Sequence, residues 1–366
     1  MKITGIQAFP VTYTVRNGGF RLSGGRRFTH FKSVIIRIDT DTGLSGWGEH
    51  ASSAQYMVAH HESALAVLAE IAPALIGLDP RQNRVIHAAM ERTVRGHAYA
   101  RTAIDIACWD LAGKDAGVPV AVLLGGIHQP DYPRHKMVIM DTPEKMRDGA
   151  RAIAAAGFRT LQVKVGNDWR EDVERVEACL ETAPLFDRIV VDANGNYSPG
   201  DALHLINATR QLNYVIEQPC RTLEDNLSLR RRIERPMVLD ESLDSLEMVF
   251  RAHAADGFDQ AMLKLSRFGG IGPTAFVRDL CTAWNRPVTM EDMSGGGIVA
   301  AAAAHLAAST PAGILAAGSY VTDYVEETNI LGSWPQDGQG HLPSDQPGLG
   351  IVVDEAAIGS PVWSVQ

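Results

Sequence analysis

Five short runs decide how this chain is read: LQVKVG at 161–166, VVDAN at 190–194, VIEQP at 215–219, VLDES at 238–242 and MLKLS at 262–266. Each is an apolar stretch that ends on a charge, in order Lys164, Asp192, Glu217, Asp240 and Lys264. The last four follow one another at intervals of 25, 23 and 24 residues. That interval fits one strand, one helix and two short connections, repeated. In a parallel barrel the C-terminal strand ends share one rim, and active sites lie on that rim. A charge closing an apolar strand is costly unless it is paired or bound to an ion. The five charges are therefore expected to meet at one mouth.

The same pattern extends on both sides. Candidate strands fall at 136–140, 160–165, 188–192, 214–217, 237–240, 260–264, 287–290 and 313–316, with helix-like stretches such as 144–156, 170–182 and 270–284 between them. Eight β-α repeats favour a barrel over an open sheet. The first 125 residues read differently, with strands at 2–15 and 33–48 followed by helices at 57–75, 82–93 and 97–116. Val34, Ile36 and Ile38 alternate with Ile35, Arg37 and Asp39, the period of a strand. Strands followed by helices make an α+β unit. Expected domains are thus 1–125 (α+β cap), 126–325 (barrel) and 326–366, a Gly- and Pro-rich tail packing back on the cap as loop.

Composition narrows the function classes. The chain has 366 residues, 45% hydrophobic and 21% charged, enough for a large core. A net charge of −9 speaks against nucleic acid or an anionic membrane as the main partner. Cys108, Cys179, Cys220 and Cys281 form no C-x-x-C pair, so free thiols in a reducing compartment are expected. The N-terminal MKITGIQAFPVTYTV alternates like a strand and has no signal-peptide core. The most apolar stretch, 295–309, is shorter than a membrane span needs. A cytoplasmic enzyme is the expectation.

Taken singly, each carboxylate could be a helix cap or an ion-pair partner. Three on successive strands, framed by two lysines, would repel one another. A hard divalent cation relieves that repulsion, and oxygen ligands with room for water suit Mg²⁺.

VDAN, EQP, LDES and LKLSRFGGIG (263–272), together with GLSGWGE (43–49), RTAIDIACWDLAGK (101–114) and LLGG (123–126), resemble the mandelate racemase/muconate lactonizing enzyme branch of the enolase superfamily over nearly the whole chain. The resemblance implies an α+β capping domain on a modified (β/α)₇β TIM barrel. It implies Mg²⁺ held by Asp192, Glu217 and Asp240, and acid/base lysines at Lys164 and Lys264 on opposite faces of the substrate. It also implies a homo-oligomer. The shared chemistry is removal of the proton α to a carboxylate, through an enediolate. One departure stands out: the usual K-x-K of the second barrel strand is Gln162-Val163-Lys164 here. The missing lysine would have lowered its neighbour's pKa, a shift a base near pH 7–8 needs from an ordinary value of about 10.4.

RGHAYARTAIDIACWDLAGK (95–114), IEQPC (216–220) and EDMSGGGI (291–298) resemble relatives that act on proline derivatives, small amino or imino acids. That implies dehydration of cis-3-hydroxy-L-proline to Δ¹-pyrroline-2-carboxylate. The alternatives are 2-epimerisation of a proline or hydroxyproline betaine, or another amino-acid or dipeptide epimerisation. Such relatives often carry Trp and Asp where this chain has Ser294 and Gly297, and losing an aromatic there argues against a betaine. Beyond the lysines and metal ligands, Gln162, Asn194, Glu241, Arg267, Glu291, Asp292, Ser294 and Tyr56 are candidates for substrate or supporting contacts. His30 and Trp47 lie in capping segments that could reach substrate or belong to the core. The GGIG at 269–272 opens a helix rather than forming a phosphate loop, and His60-His61-Glu62 lacks zincin spacing. Outside the family, a Schiff-base aldolase would use a lysine without needing three carboxylates, and a binding barrel would show no proton exchange.

Overall fold

The structure, a computed structural model, describes residues 1–52, 60–332, 334 and 337–366. The capping part begins with β1 (Ile3–Thr14), a small hairpin of β2 (Phe20–Arg21) and β3 (Arg27–Phe28), then β4 (His30–Thr40) and β5 (Ser45–Ser52). β1, β4 and β5 form an antiparallel sheet. The stretch read as one strand over 33–48 is thus two strands of a hairpin. The chain reverses at Asp41–Leu44, where Gly43 takes φ +81, a value glycine adopts at little cost. Alternation of apolar residues marks the strands but not the turn between them.

The sheet has two buried faces. Val34, Ile36 and Ile38 pack with Leu68, Ile86 and Ile104 from the helices His61–Ile71, Asn83–Thr93 and Ala98–Ala116. Ile35, Phe9 and Trp47 point the other way, into the core shared with the barrel. Each fully buried side chain of this size contributes about 1.5–3 kcal/mol. The long helix Ala98–Ala116 lies directly on β5, and the glycines of GWG make this approach feasible. A Cβ at Gly48 would sit 1.8 Å from the Ala103 carbonyl oxygen.

After β6 (Asp131–Pro133), which lies outside the barrel sheet, the barrel strands are β7 (His135–Val138), β8 (Thr160–Lys164), β9 (Arg188–Asp192), β10 (Val215–Glu217), β11 (Met237–Leu239), β12 (Gln260–Lys264), β13 (Val288–Glu291) and β14 (Leu315–Gly318). β7 to β14 pair in chain order, all parallel. A bridge between Arg134 and Gly318 joins the two ends, so the barrel is nearly closed. Helices such as Pro143–Ala155, Trp169–Leu180 and Ile271–Ala283 connect the strands. This is the modified TIM barrel with an α+β cap that the resemblance implied.

The tail is more regular than loop. β15 (Gln339–His341) pairs with β6, and β16 (Trp363–Val365) adds an antiparallel edge to β1. Both strands are three residues long, too short for a periodic signal.

Cap and barrel meet at the helix Gly297–Ala308, whose residues are all buried. Its run of alanines lets it fit between β13 and the cap. Glu49, at the end of GLSGWGE, is fully buried and accepts hydrogen bonds from the Gly296 and Val299 amides, from Tyr13 Oη and from Asn329 Nδ2. A carboxylate at a helix N-terminus satisfies amides that have no partner within the helix. Glu49 thereby fixes the loop at 292–296 to the cap.

Candidate active site

Strand period explains which side chains enter the barrel. Gln162 and Lys164 lie two apart on β8, so both face the same side. The register sets Lys164 beside Asp192, Asp192 beside Glu217, and Lys264 beside Glu291. Asp240 follows directly on β11. All five charges are buried at one rim, as the spacing implied.

The outer two carboxylates are held by the two lysines. Lys164 Nζ lies 2.5 Å from Asp192 Oδ2, and Lys264 Nζ lies 2.5 Å from Asp240 Oδ2. Asp240 also receives Arg267 Nη1 at 2.7 Å. Burial would raise the Asp240 carboxyl, but Arg267 and Lys264 outweigh it and hold it below its ordinary value. Lys264 is likewise held above the ordinary lysine value: burial lowers it, and Asp240 with Glu291 more than reverses this.

Glu217, between them, is different. It is 1% exposed, its Oε2 receives Gln162 Nε2 at 3.0 Å, and its Oε1 has no hydrogen-bond partner. Burial pushes its carboxyl well up, and repulsion from Asp192 and Asp240 adds to this. Among the described residues, no three acidic, imidazole or thiol side chains are already drawn into a ligand sphere. The ion pairs with Lys164 and Lys264 account for this, because each draws an outer carboxylate toward its own lysine. The donor set nevertheless fits a hard cation: three carboxylates at adjacent strand ends, of which Glu217 has an orphaned buried oxygen and is raised further by repulsion from the other two.

Around this centre the remaining candidates divide. Gln162 bridges two carboxylates, reaching Asp192 Oδ2 at 3.3 Å as well as Glu217. Asn194 donates its backbone amide to Asp192 Oδ1 at 2.8 Å, and its side chain reaches Glu241 Oε1 at 3.1 Å. Glu241 is half-buried, with its Oε2 shielded and unpartnered, and desolvation followed by repulsion from Asp240 and Asp192 raises it to about 7. Asp292 accepts from Ser266 Oγ and its own loop amide at Met293, yet burial still raises it to about 6. Arg267 grips Asp240 rather than capping the mouth freely.

A cavity opens over these groups, lined by Lys164, Lys264, Asp240, Glu241, Glu291 and Asp292. Its opposite wall is apolar and comes partly from the cap: Phe20, Leu22, Phe28 and Phe31, with Met137 and Tyr324 from the barrel side. Ser294 is buried but outside this lining. Trp47 packs on Phe9 in the core, and His30 is exposed beside Thr29, so neither faces the cavity. Tyr56 lies outside the described residues.

Sequence reasoning missed the aromatic wall and His135. Phe20, Phe28 and Phe31 cluster around a short hairpin, with ring centroids 5.5 to 6.2 Å apart. In sequence they resemble any core aromatics. The glycines at 18, 19, 24 and 25, each with positive φ, were the available sign of a tightly folded loop there.

Residues 14–125 match the mandelate racemase / muconate lactonizing enzyme N-terminal domain, and residues 145–357 match the enolase C-terminal domain-like family. The cis-3-hydroxy-L-proline dehydratase of Roseibium aggregatum is 38% identical over 99% of each chain. The N-succinyl-L-Arg/Lys racemase of Bacillus cereus is 28% identical over 97% of this chain and 96% of its own. A crystal structure of an enolase-superfamily member from Roseovarius nubinhibens, complexed with magnesium, superposes with a TM-score of 0.94 at 32% identity, covering 100% of this chain and 99% of that one.

Proposed function

The chain belongs to the mandelate racemase/muconate lactonizing enzyme family of the enolase superfamily, and from that premise we propose that it is a Mg²⁺-dependent dehydratase of cis-3-hydroxy-L-proline. The observation that carries the reading is the pair of buried lysines, on β8 and β12, that line one cavity and frame three buried strand-end carboxylates, of which Asp240 lines the cavity itself. Asp192, Glu217 and Asp240 would hold the ion. When bound, Mg²⁺ supplies positive charge that offsets the three carboxylates and favours negative charge on a substrate carboxylate.

The protein's own groups do the rest. One lysine takes the α-proton, and the electron pair moves into the carboxylate. In cis-3-hydroxyproline the hydroxyl and carboxylate share a ring face, so the α-proton is opposite the leaving group. The second lysine gives its proton to the departing hydroxyl, which leaves as water. The enamine that remains tautomerises to Δ¹-pyrroline-2-carboxylate. Asp292 offers a carboxylate to a protonated ring nitrogen, and Phe20, Phe28 and Leu22 supply an apolar wall for the ring carbons. The relative that is a cis-3-hydroxy-L-proline dehydratase supports this substrate.

One observation favours a second reading. The aromatic wall of Phe20, Phe28, Phe31 and Tyr324 offers faces of the kind that hold a quaternary ammonium. A proline betaine would meet it, and two opposed lysines would epimerise C2 by removing a proton from one face and returning it on the other.

Proton NMR in D₂O with Mg²⁺ separates the two. Cis-3-hydroxy-L-proline signals giving way to pyrroline carboxylate, with EDTA blocking the change, is the expected result. Exchange of only the betaine α-proton would make the epimerase the better reading. Silence with both substrates would reject both.

A further inference from the structure

Lys264 is held by two carboxylates. Besides Asp240, Lys264 Nζ has a second carboxylate at 3.0 Å, Glu291 Oε1. Glu291 is not among the proposed metal ligands. Its other oxygen, Oε2, lies 3.1 Å from Nε2 of His135. A carboxylate can only accept, so Nε2 carries the proton of this bond. Burial would raise the Glu291 carboxyl, but Lys264 and His135 outweigh it and hold it well below its ordinary value.

The contact spans the barrel seam. His135 opens β7 and Glu291 closes β13, with β14 between them. At that level β14 carries Ala317 and Gly318, followed by Ser319. Ser319 itself lines the cavity. Both partners line the same cavity as Lys264.

We propose that His135 and Glu291 are a positioning pair for Lys264, an assignment that rests on the acid/base role given to that lysine above. A lysine ammonium rides on a flexible four-carbon stem. Asp240 is shared between Lys264, Arg267 and its proposed ligand role, so Glu291 is the carboxylate whose task is Lys264 alone. His135 fixes the Glu291 plane so that Oε1 faces Nζ. A misplacement of ~1 Å at a reacting group costs roughly a hundredfold in rate.

The test compares His135→Leu with His135→Gln in the full chain. Lysine labelled with ¹³C at Cε reports Lys264 directly, its signal being the one lost in Lys264→Arg. A pinned side chain shows unequal ε-methylene protons, and a loosely held one shows them merged. In His135→Leu the splitting at Lys264 should narrow, while that of Lys164 stays. Turnover should drop about 10- to 100-fold in kcat with KM nearly unchanged. His135→Gln keeps an N–H donor and should restore both readouts. Unchanged splitting in His135→Leu, or equal loosening of Lys164, would overturn the proposal. Narrowing at Lys264 in a protein that turns over none of the substrates above would sink the functional reading and leave the positioning pair standing. Should His135→Leu fail to fold, Glu291→Gln takes its place with the same expected narrowing.

Discussion

Replacing Glu217 by glutamine should make the metal-free protein more stable and the Mg²⁺-loaded protein less so. The carboxylate is buried, lies between two others, and has one oxygen without a partner. An unsatisfied buried polar group costs ~1–3 kcal/mol, and a charge more. Glutamine keeps the shape. Its carbonyl can accept from Gln162 Nε2, and its amide fills the position of the orphaned oxygen with a donor facing Asp192 and Asp240. Without metal, Glu217→Gln should therefore gain ~1–3 kcal/mol, or roughly 1–4 °C in melting temperature for a chain of this size. The gain should grow with pH. Because the folded carboxyl sits above its ordinary value, the native state keeps a proton that the unfolded chain releases, so wild-type stability falls as pH rises out of the carboxylate range. Glutamine has no such slope. With Mg²⁺ at about a hundred times its dissociation constant, the wild type should gain about 2.7 kcal/mol, and the variant little. Thermal melts with EDTA and with Mg²⁺, at two pH values, measure all of this. A variant that melts below wild type in EDTA, or gains as much from Mg²⁺, would refute the assignment of Glu217 as a ligand.

Lys164→Ala and Lys264→Ala should each lower kcat by ~10²–10⁴-fold or more, with circular dichroism unchanged. Near-wild-type turnover in either would remove that lysine from the chemistry. Gly48→Ala tests the cap. Its added Cβ would lie 1.8 Å from the Ala103 carbonyl and 2.7 Å from the Ala107 amide, so overpacking should cost at least ~1–3 kcal/mol in stability. A melting temperature equal to wild type would mean the helix does not rest on β5 as described.

The strand-end charges were legible because apolar runs that stop on a charge break the expected burial rule at a fixed interval. Lys164, Asp192, Glu217, Asp240 and Lys264 all carry that signature, and each is buried at the rim. Gln162 was picked out only because the resemblance sets a lysine there; the strand period then explains why it faces the same way as Lys164. The aromatic wall was not. Phe20 and Phe28 come from strands of two residues, which have no period to read, and their direction is set by packing against Phe31 and Tyr324. His135 was hidden for another reason. It opens its strand instead of ending it, and its partner is brought near only by closure of the barrel. The Asp41–Leu44 turn was missed although Asp39 to Gly43 is a polar run of turn-forming residues that ends on glycine.

Gln162 shows why a departure from the family pattern need not disable the site. A lysine at 162 would add a cation beside Lys164 and favour its neutral form by repulsion. The same cation would compete with Mg²⁺ for Asp192 and Glu217, the two carboxylates that Gln162 now touches. A neutral amide donor satisfies one oxygen of each without neutralising either. The two carboxylates are thus left to a hard cation, whose binding would displace the proton that burial favours on Glu217. The cost falls on Lys164, whose release as a free base then depends on relaxing its grip on Asp192. If Asp192 is a ligand as proposed, competition for that one carboxylate would link metal binding to the state of the lysine. On that proposal the glutamine at 162 would shift control of the base from a second lysine to the ligand set itself.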